Sequence, residues 1–138
     1  MASKGRKPRG AKAEAEAGLP LPGRPLIWIG SSKDDISEMP KAVKASFGYR
    51  LRRIQKGLAA EHAKALTQFG AGIYELREAF DTNAYRVMYV VKLKQAIYVL
   101  HAFMKKSKSG IGIPRPDAEM IRSRLKKAQL IDAEDNHA

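Results

Sequence analysis

Cysteine is absent from the 138 residues. Disulfides, thiolate metal sites and cysteine nucleophiles are therefore excluded together. No apolar run approaches the roughly 18 residues that a membrane span requires. Met1 to Pro25 is basic and carries no hydrophobic stretch, so it does not read as a secretory signal. Histidine is sparse, at 62, 101 and 137, and this spacing fits no metal-ligand pattern. There is no GxSxG elbow, no Walker-type loop and no HExxH. No carboxylate pair sits in a context that would raise a pKa. The chain is thus expected to use no metal and no cofactor, to engage no membrane and to be cytoplasmic.

Acids are also in short supply, and the resulting charge is the strongest bulk signal. Lysine and arginine number 26 against 14 acids, a net charge of +12. The pI is near 10.1. From Leu26 onward there are still 20 basic and 12 acidic residues, so the excess does not reside in the N-terminus alone. A polyanionic partner fits: nucleic acid, an anionic membrane or an acidic protein.

Composition divides the chain. Residues 1–24 are Ala/Gly/Pro-rich with Lys4, Arg6, Lys7, Arg9 and Lys12 among them, and read as a flexible basic extension. Residues 25–131 read as one domain, and 132–138 as a short tail. Leu26–Ile29 reads as a buried strand closed by Gly30. Ser31 and Ser32, each followed three residues later by Asp34 and Asp35, resemble a capping box. Two helical pieces are expected, about 32–39 and 41–57, the second with Val43, Phe47, Leu51, Ile54 and Leu58 on one face. Residues 59–71 read as a connector. Three strands then follow closely: 73–80, 85–93 and 97–105, with turn residues Asp81, Thr82 and Asn83 between the first two. After Pro114 and Pro116 a helix is expected over about 117–128, with Met120, Ile121, Leu125 and Ala128 as its buried stripe. The order is β-α-α-β-β-β-α, an α+β domain built on a small antiparallel sheet.

Alternation along the strands sorts the side chains. Glu75 and Arg77 share a face; Tyr74, Leu76 and Phe80 take the other. Arg86 opposes Tyr85, Val87 and Tyr89 in parity. His101, Phe103 and Lys105 share a face, with Leu100 and Ala102 opposite. One face is thus apolar, and Arg77, Arg86, His101 and Lys105 can converge on the other. Four potential cations there repel unless an anion lies among them, and phosphate is the natural candidate. An ion pair from Arg77 to Glu75 or Glu78 is the plainer alternative, and His101 also reads as a core histidine. The set suits RNA cleavage without a metal. The substrate brings its own 2′-hydroxyl nucleophile, cations stabilise the phosphorane, a lysine crowded by cations has a lowered pKa, and Phe103 can stack on a base.

Three stretches carry a likeness: Ile73–Arg77, Tyr85–Tyr89 and Tyr98–Ser107, with Pro25–Ser32 and Ile113-Pro114 beside them. Together they resemble the RelE/HigB toxin superfamily, in its phage-derived branch, over about residues 25–128. The resemblance implies a small twisted antiparallel sheet flanked by helices. It implies the toxin of a type II toxin–antitoxin system: a metal-independent endoribonuclease that cleaves mRNA on the ribosome and stops translation. The implied partners are mRNA, the ribosome and a cognate helix-turn-helix antitoxin, with operator DNA reached only through the antitoxin complex. It places Arg77, Arg86, His101, Lys105 and Lys106 at the catalytic site, and Phe103, Ser107 and Lys108 on the RNA. The tyrosine or histidine found near the C-terminus of some relatives has no counterpart in residues 113–131. Two other readings remain open: a ParE-like inhibitor of DNA gyrase, and a non-catalytic, phage-derived nucleic-acid-binding module.

Overall fold

A computed structural model describes residues 23–58, 60, 62–106 and 112–135. Five strands form one sheet in the order β1-β5-β4-β3-β2. They are β1 (Leu26–Trp28), β2 (Lys64–Ala65), β3 (Ile73–Phe80), β4 (Asn83–Val90) and β5 (Ile97–Lys106). The helices are α1 (Ser32–Ser37), α2 (Lys41–Gln55) and α3 (Arg115–Asp135). The α+β architecture is the one expected, with one short strand more, because β2 lies inside the stretch read as a connector. Two exposed residues, Lys64 and Ala65, carry too little periodicity to register as a strand.

The strands β3, β4 and β5 form an antiparallel meander, and Asp81 and Thr82 make its first turn with φ of 52° and 66°. Two successive positive φ values match the twist of the flanking strands, as in two-residue hairpins. The edge strand β1 instead runs parallel to β5. A parallel neighbour needs a long crossover, and the chain between β1 and β5 includes α1, α2 and the strands β2, β3 and β4.

Both faces of the sheet are covered. On one, Val43, Phe47, Leu51 and Ile54 of α2 pack on Leu76, Val87, Tyr89, Val99 and Ala102. Their spacing of four, four and three residues forms one helical stripe. Leu58, expected to extend that stripe, is exposed, since the helix ends before Gly57, whose φ is +81°. On the other face Ile121 and Ala128 of α3 pack with Ile73, Met88, Val90, Tyr98 and Leu100. Met120, expected in this stripe, is exposed.

Strand alternation fails at one residue. The ladder pairs Met88 with His101 and Tyr89 with Val99, so Leu100 is supernumerary. It joins Phe103 on the α3 face rather than Ala102 on the other. Such a bulge shifts the parity of everything beyond it.

Several boundaries also differ from expectation: β4 begins at Asn83, expected in the turn, and ends at Val90 rather than 93. The proposed cap at Ser31 is not made: its hydroxyl donates to Asp35 Oδ2 at 2.8 Å, and Ser32 donates to the Val99 carbonyl. Arg24, assigned to the extension, is anchored: its guanidinium donates to the carbonyls of Val91, Leu93 and Ala96, and its backbone pairs with Gln55. Residues 1–22 lie outside the described residues. The last helix continues past 128 because Asp132 fixes it to the β4–β5 turn. The buried Asp132 carboxylate accepts from the backbone N–H groups of Lys94 and Gln95 and from the Tyr98 hydroxyl. It therefore belongs to the fold rather than to a tail.

Burial raises the Asp132 pKa, but those hydrogen bonds and the nearby Arg24 outweigh it and leave the carboxyl below its ordinary value. A depressed folded pKa means the stabilisation is present above the unfolded pKa and is lost as pH falls through the folded one. Asp132→Ala is expected to cost about 2–3 kcal/mol, because three donors lose a charged acceptor. Urea unfolding at neutral pH checks the size, and the deficit relative to the parent chain should shrink as the solution is acidified.

Candidate nucleic-acid-cleaving face

The half of the α3-side face that α3 leaves open is polar. Register places Glu75 and Arg77 on β3, Arg86 on β4, and His101, Phe103 and Lys105 on β5 side by side: Arg77 faces Arg86, and Arg86 faces Phe103. The expected cluster of Arg77, Arg86, His101, Phe103 and Lys105 is thus brought together. Lys106 is not: the strand continues regularly through it, opposite Asn83, so it alternates away from Lys105 and is exposed. Ser107 and Lys108 lie outside the described residues.

An anion does lie among the cations, and it is Glu75. Its carboxylate is buried against Arg86 at 3.3 Å and reaches Arg77 at 3.5 Å. The side chains of Glu75 and Arg86 are 2% and 4% exposed, whereas Arg77 is 48% exposed. Arg86 Nε and Glu75 Oε2 have no hydrogen-bond partner among the described residues. This pair is close enough for Coulomb attraction but incompletely bonded, leaving one buried donor and one buried acceptor unsatisfied among the described residues. Burial pulls the Arg86 pKa down, Glu75 holds it up and Arg77 opposes.

Lys105 is buried too, and its ammonium donates to the Gly112 carbonyl. Its pKa lies below the ordinary lysine value: burial is the main cause, Arg86 and Arg77 add to it, and Glu75 opposes. Phe103, half-buried, stacks on the His101 ring at 5.3 Å, and the Arg86 guanidinium sits 5.9 Å from the Phe103 centroid.

His101 is fixed from both sides by α3. Nε2 meets Asp117 Oδ1 at 2.7 Å, and Nδ1 meets the Arg124 guanidinium at 3.3 Å. A guanidinium can only donate, so Nδ1 accepts and Nε2 carries the hydrogen directed at Asp117. Arg124 also donates to the Leu100 carbonyl and to the Ser31 hydroxyl. It lies so close to Gly30 that a Cβ there would come within 2.7 Å of the guanidinium. Gly30, at φ +59°, suits the left-handed backbone there, and a side chain in its place would displace the Arg124 guanidinium. With both nitrogens engaged, His101 holds the Phe103 ring and ties α3 to the site.

Asp117, Arg124 and Lys64, which is opposite Glu75 in the ladder, escaped the sequence reading. The signal for the first two was periodicity: Asp117, Ile121, Arg124, Ala128 and Asp132 recur at four, three, four and four residues, one helical face mixing apolar and charged groups. Lys64 had no such signal.

The fold and this cationic face define a class. The chain resembles a free-state structure of the E. coli toxin RelE, a mutant form, with a TM-score of 0.50 at 13% identity, covering 76% of this chain and 97% of that one. Residues 34–126 match the family described as phage derived protein Gp49-like (DUF891), and the chain belongs to that family. The phage-derived family expected from the residues is thereby shown, and the fold is RelE-like as expected. No curated protein matches the chain. No helix among the described residues is long and apolar enough to cross a membrane.

Proposed function

We propose that this protein is the toxin of a type II toxin–antitoxin pair and acts as an endoribonuclease on mRNA at the ribosome. The observation that carries the proposal is the buried Arg86–Glu75 pair set beside a buried Lys105 and the half-buried Phe103. In the proposed reaction the 2′-hydroxyl gives up its proton to water as it attacks the adjacent phosphorus, while the buried Glu75 holds the Arg86 guanidinium in place. Arg86 and Lys105 face the phosphorane, where preorganised donors in a water-poor site act most strongly. Arg77 holds a flanking phosphate, and Phe103, held by His101, stacks on a base. The P–O5′ bond then breaks and the leaving 5′-oxygen takes a proton from water, giving a 2′,3′-cyclic phosphate and a free 5′-hydroxyl. The antitoxin, a helix-turn-helix protein in this reading, carries the operator contacts and complements the basic face.

The chemistry is tested with purified chain and RNA in excess chelator. Cleavage is expected, and a single 2′-deoxy substitution at the scissile position should abolish it while a 2′-deoxy substitution elsewhere should not. Induced expression should arrest translation and leave DNA supercoiling unchanged. Arrest with altered supercoiling and intact messenger would instead indicate a gyrase-directed toxin.

A further inference from the structure

The short strand β2 pairs only with Tyr74 and Glu75, so no strand covers the edge of β3 from Leu76 onward, where the Arg77 carbonyl accepts from the Arg50 guanidinium. Two concavities meet at this edge, of about 420 and 430 Å³. The first lies between α2 and β3 and is lined by Tyr49, Arg50, Arg53, His62 and Arg77, among others. The second includes Lys64 and Glu75 and shares His62 and Arg77 with the first. A continuous surface thus runs from the cleavage face, around the sheet edge, to α2.

Its chemistry is uneven in a specific way. Glu78, the carboxylate of the first groove, is already engaged by Ser46 at 2.7 Å and by Arg50 at 3.3 Å. Glu75 is engaged by Arg86 and Arg77. Arg53 and Lys64 have no carboxylate partner among the described residues, and both belong to this surface. Tyr49 stands 66% exposed, with the Arg53 guanidinium 6.0 Å from its ring centroid. An exposed aromatic beside unpaired cations is the arrangement that single-stranded nucleic acid uses, base on ring and phosphate on cation.

We propose that this surface is a track for single-stranded RNA. It carries the nucleotides beyond the scissile phosphate, with a base on Tyr49 and backbone phosphates on Arg53 and Lys64. It rests on the RNA-cleaving reading, deepening it from a cleavage point to an extended footprint.

The test uses full-length chain and 2′-O-methyl RNA, which cannot be cut, as a dinucleotide and as a decamer. Tyr49→Ala, Arg53→Ala and Lys64→Ala combined should weaken the decamer tenfold or more and leave the dinucleotide unchanged. Each lost cation should flatten the salt dependence by about 0.7 in slope. Tyr49→Phe should bind as the parent does, and circular dichroism confirms that each variant is folded. Equal decamer affinity and salt slope in parent and triple variant would overturn the track. So would variants that keep the decamer but lose an acidic protein partner, which would make the surface a protein interface. The two readings separate cleanly. A chain that cuts no RNA, but whose variants lose the decamer, removes the nuclease alone. A chain that cuts RNA, but whose variants hold the decamer normally, removes the track alone.

Discussion

Arg86→Ala is expected to lower folding stability by about 3–5 kcal/mol, the cost of leaving a buried carboxylate without its counter-charge. Glu75 and Arg86 are among the least exposed charged groups of the described residues, so water cannot substitute for the missing partner. A loss of cleavage in that variant alone would mix chemistry with unfolding. The informative construction is Glu75→Gln with Arg86→Gln. Removing both charges should restore most of the stability, since a neutral pair carries no uncompensated charge, while cleavage stays lost. Denaturant titration of the parent, both single variants and the double variant gives the coupling energy. Full additivity of the two singles would show that the pair does not act as a unit.

Lys105→Met is expected to reduce RNA cleavage by about 100- to 1000-fold, the usual effect of removing one preorganised donor from a developing oxyanion. Methionine keeps the buried stem and discards only the ammonium. The lost hydrogen bond ends on the carbonyl of the exposed Gly112, which water can serve. Melting temperature should therefore move little, whereas Lys126→Ala on the exposed side of α3 should change neither quantity. The pH dependence gives a second handle. The Lys105 pKa is depressed, so the ammonium is lost at a lower pH than an ordinary lysine's as pH rises. Cleavage that needs this charge should fade on the alkaline side earlier than a normal lysine allows, and Lys105→Arg should push the fade upward. A parent-like rate in Lys105→Met would remove Lys105 from the reaction.

Much of this is legible in the sequence itself. Strand parity put Arg77, Arg86, His101 and Lys105 together because the pleat repeats every two residues, and they are together. Parity also separated Lys106 from Lys105. What parity could not supply was burial. Arg86 reads in sequence as one of several converging cations, and only the packing of β3 on β4 shows Glu75 buried against it. The convergence of positive charge is real, yet the chain itself provides the first anion. His101 offered two readings, and the structure combines them: a buried ring with both nitrogens engaged that nonetheless forms the back of the Phe103 platform. Its partners, Asp117 and Arg124, lie 16 and 23 residues away in sequence. No local pattern announces such a contact, since it depends on where α3 docks. The same holds for Arg24, whose role depends on three carbonyls some seventy residues downstream.

The supernumerary Leu100 means that β5 is read in two frames joined at one residue. Before it, even positions face α3; after it, odd positions do, and so Tyr98 and Lys105 share a side. Length changes in this strand are therefore unequal in consequence. Removing Leu100 would join the two frames into a regular ladder and leave His101, Phe103 and Lys105 where they are, at the loss of one apolar side chain. Removing any residue between His101 and Lys105 would carry Lys105 through the sheet to the α2 side. A one-residue deletion is thus nearly silent for the site at one position, and ruinous a step further along.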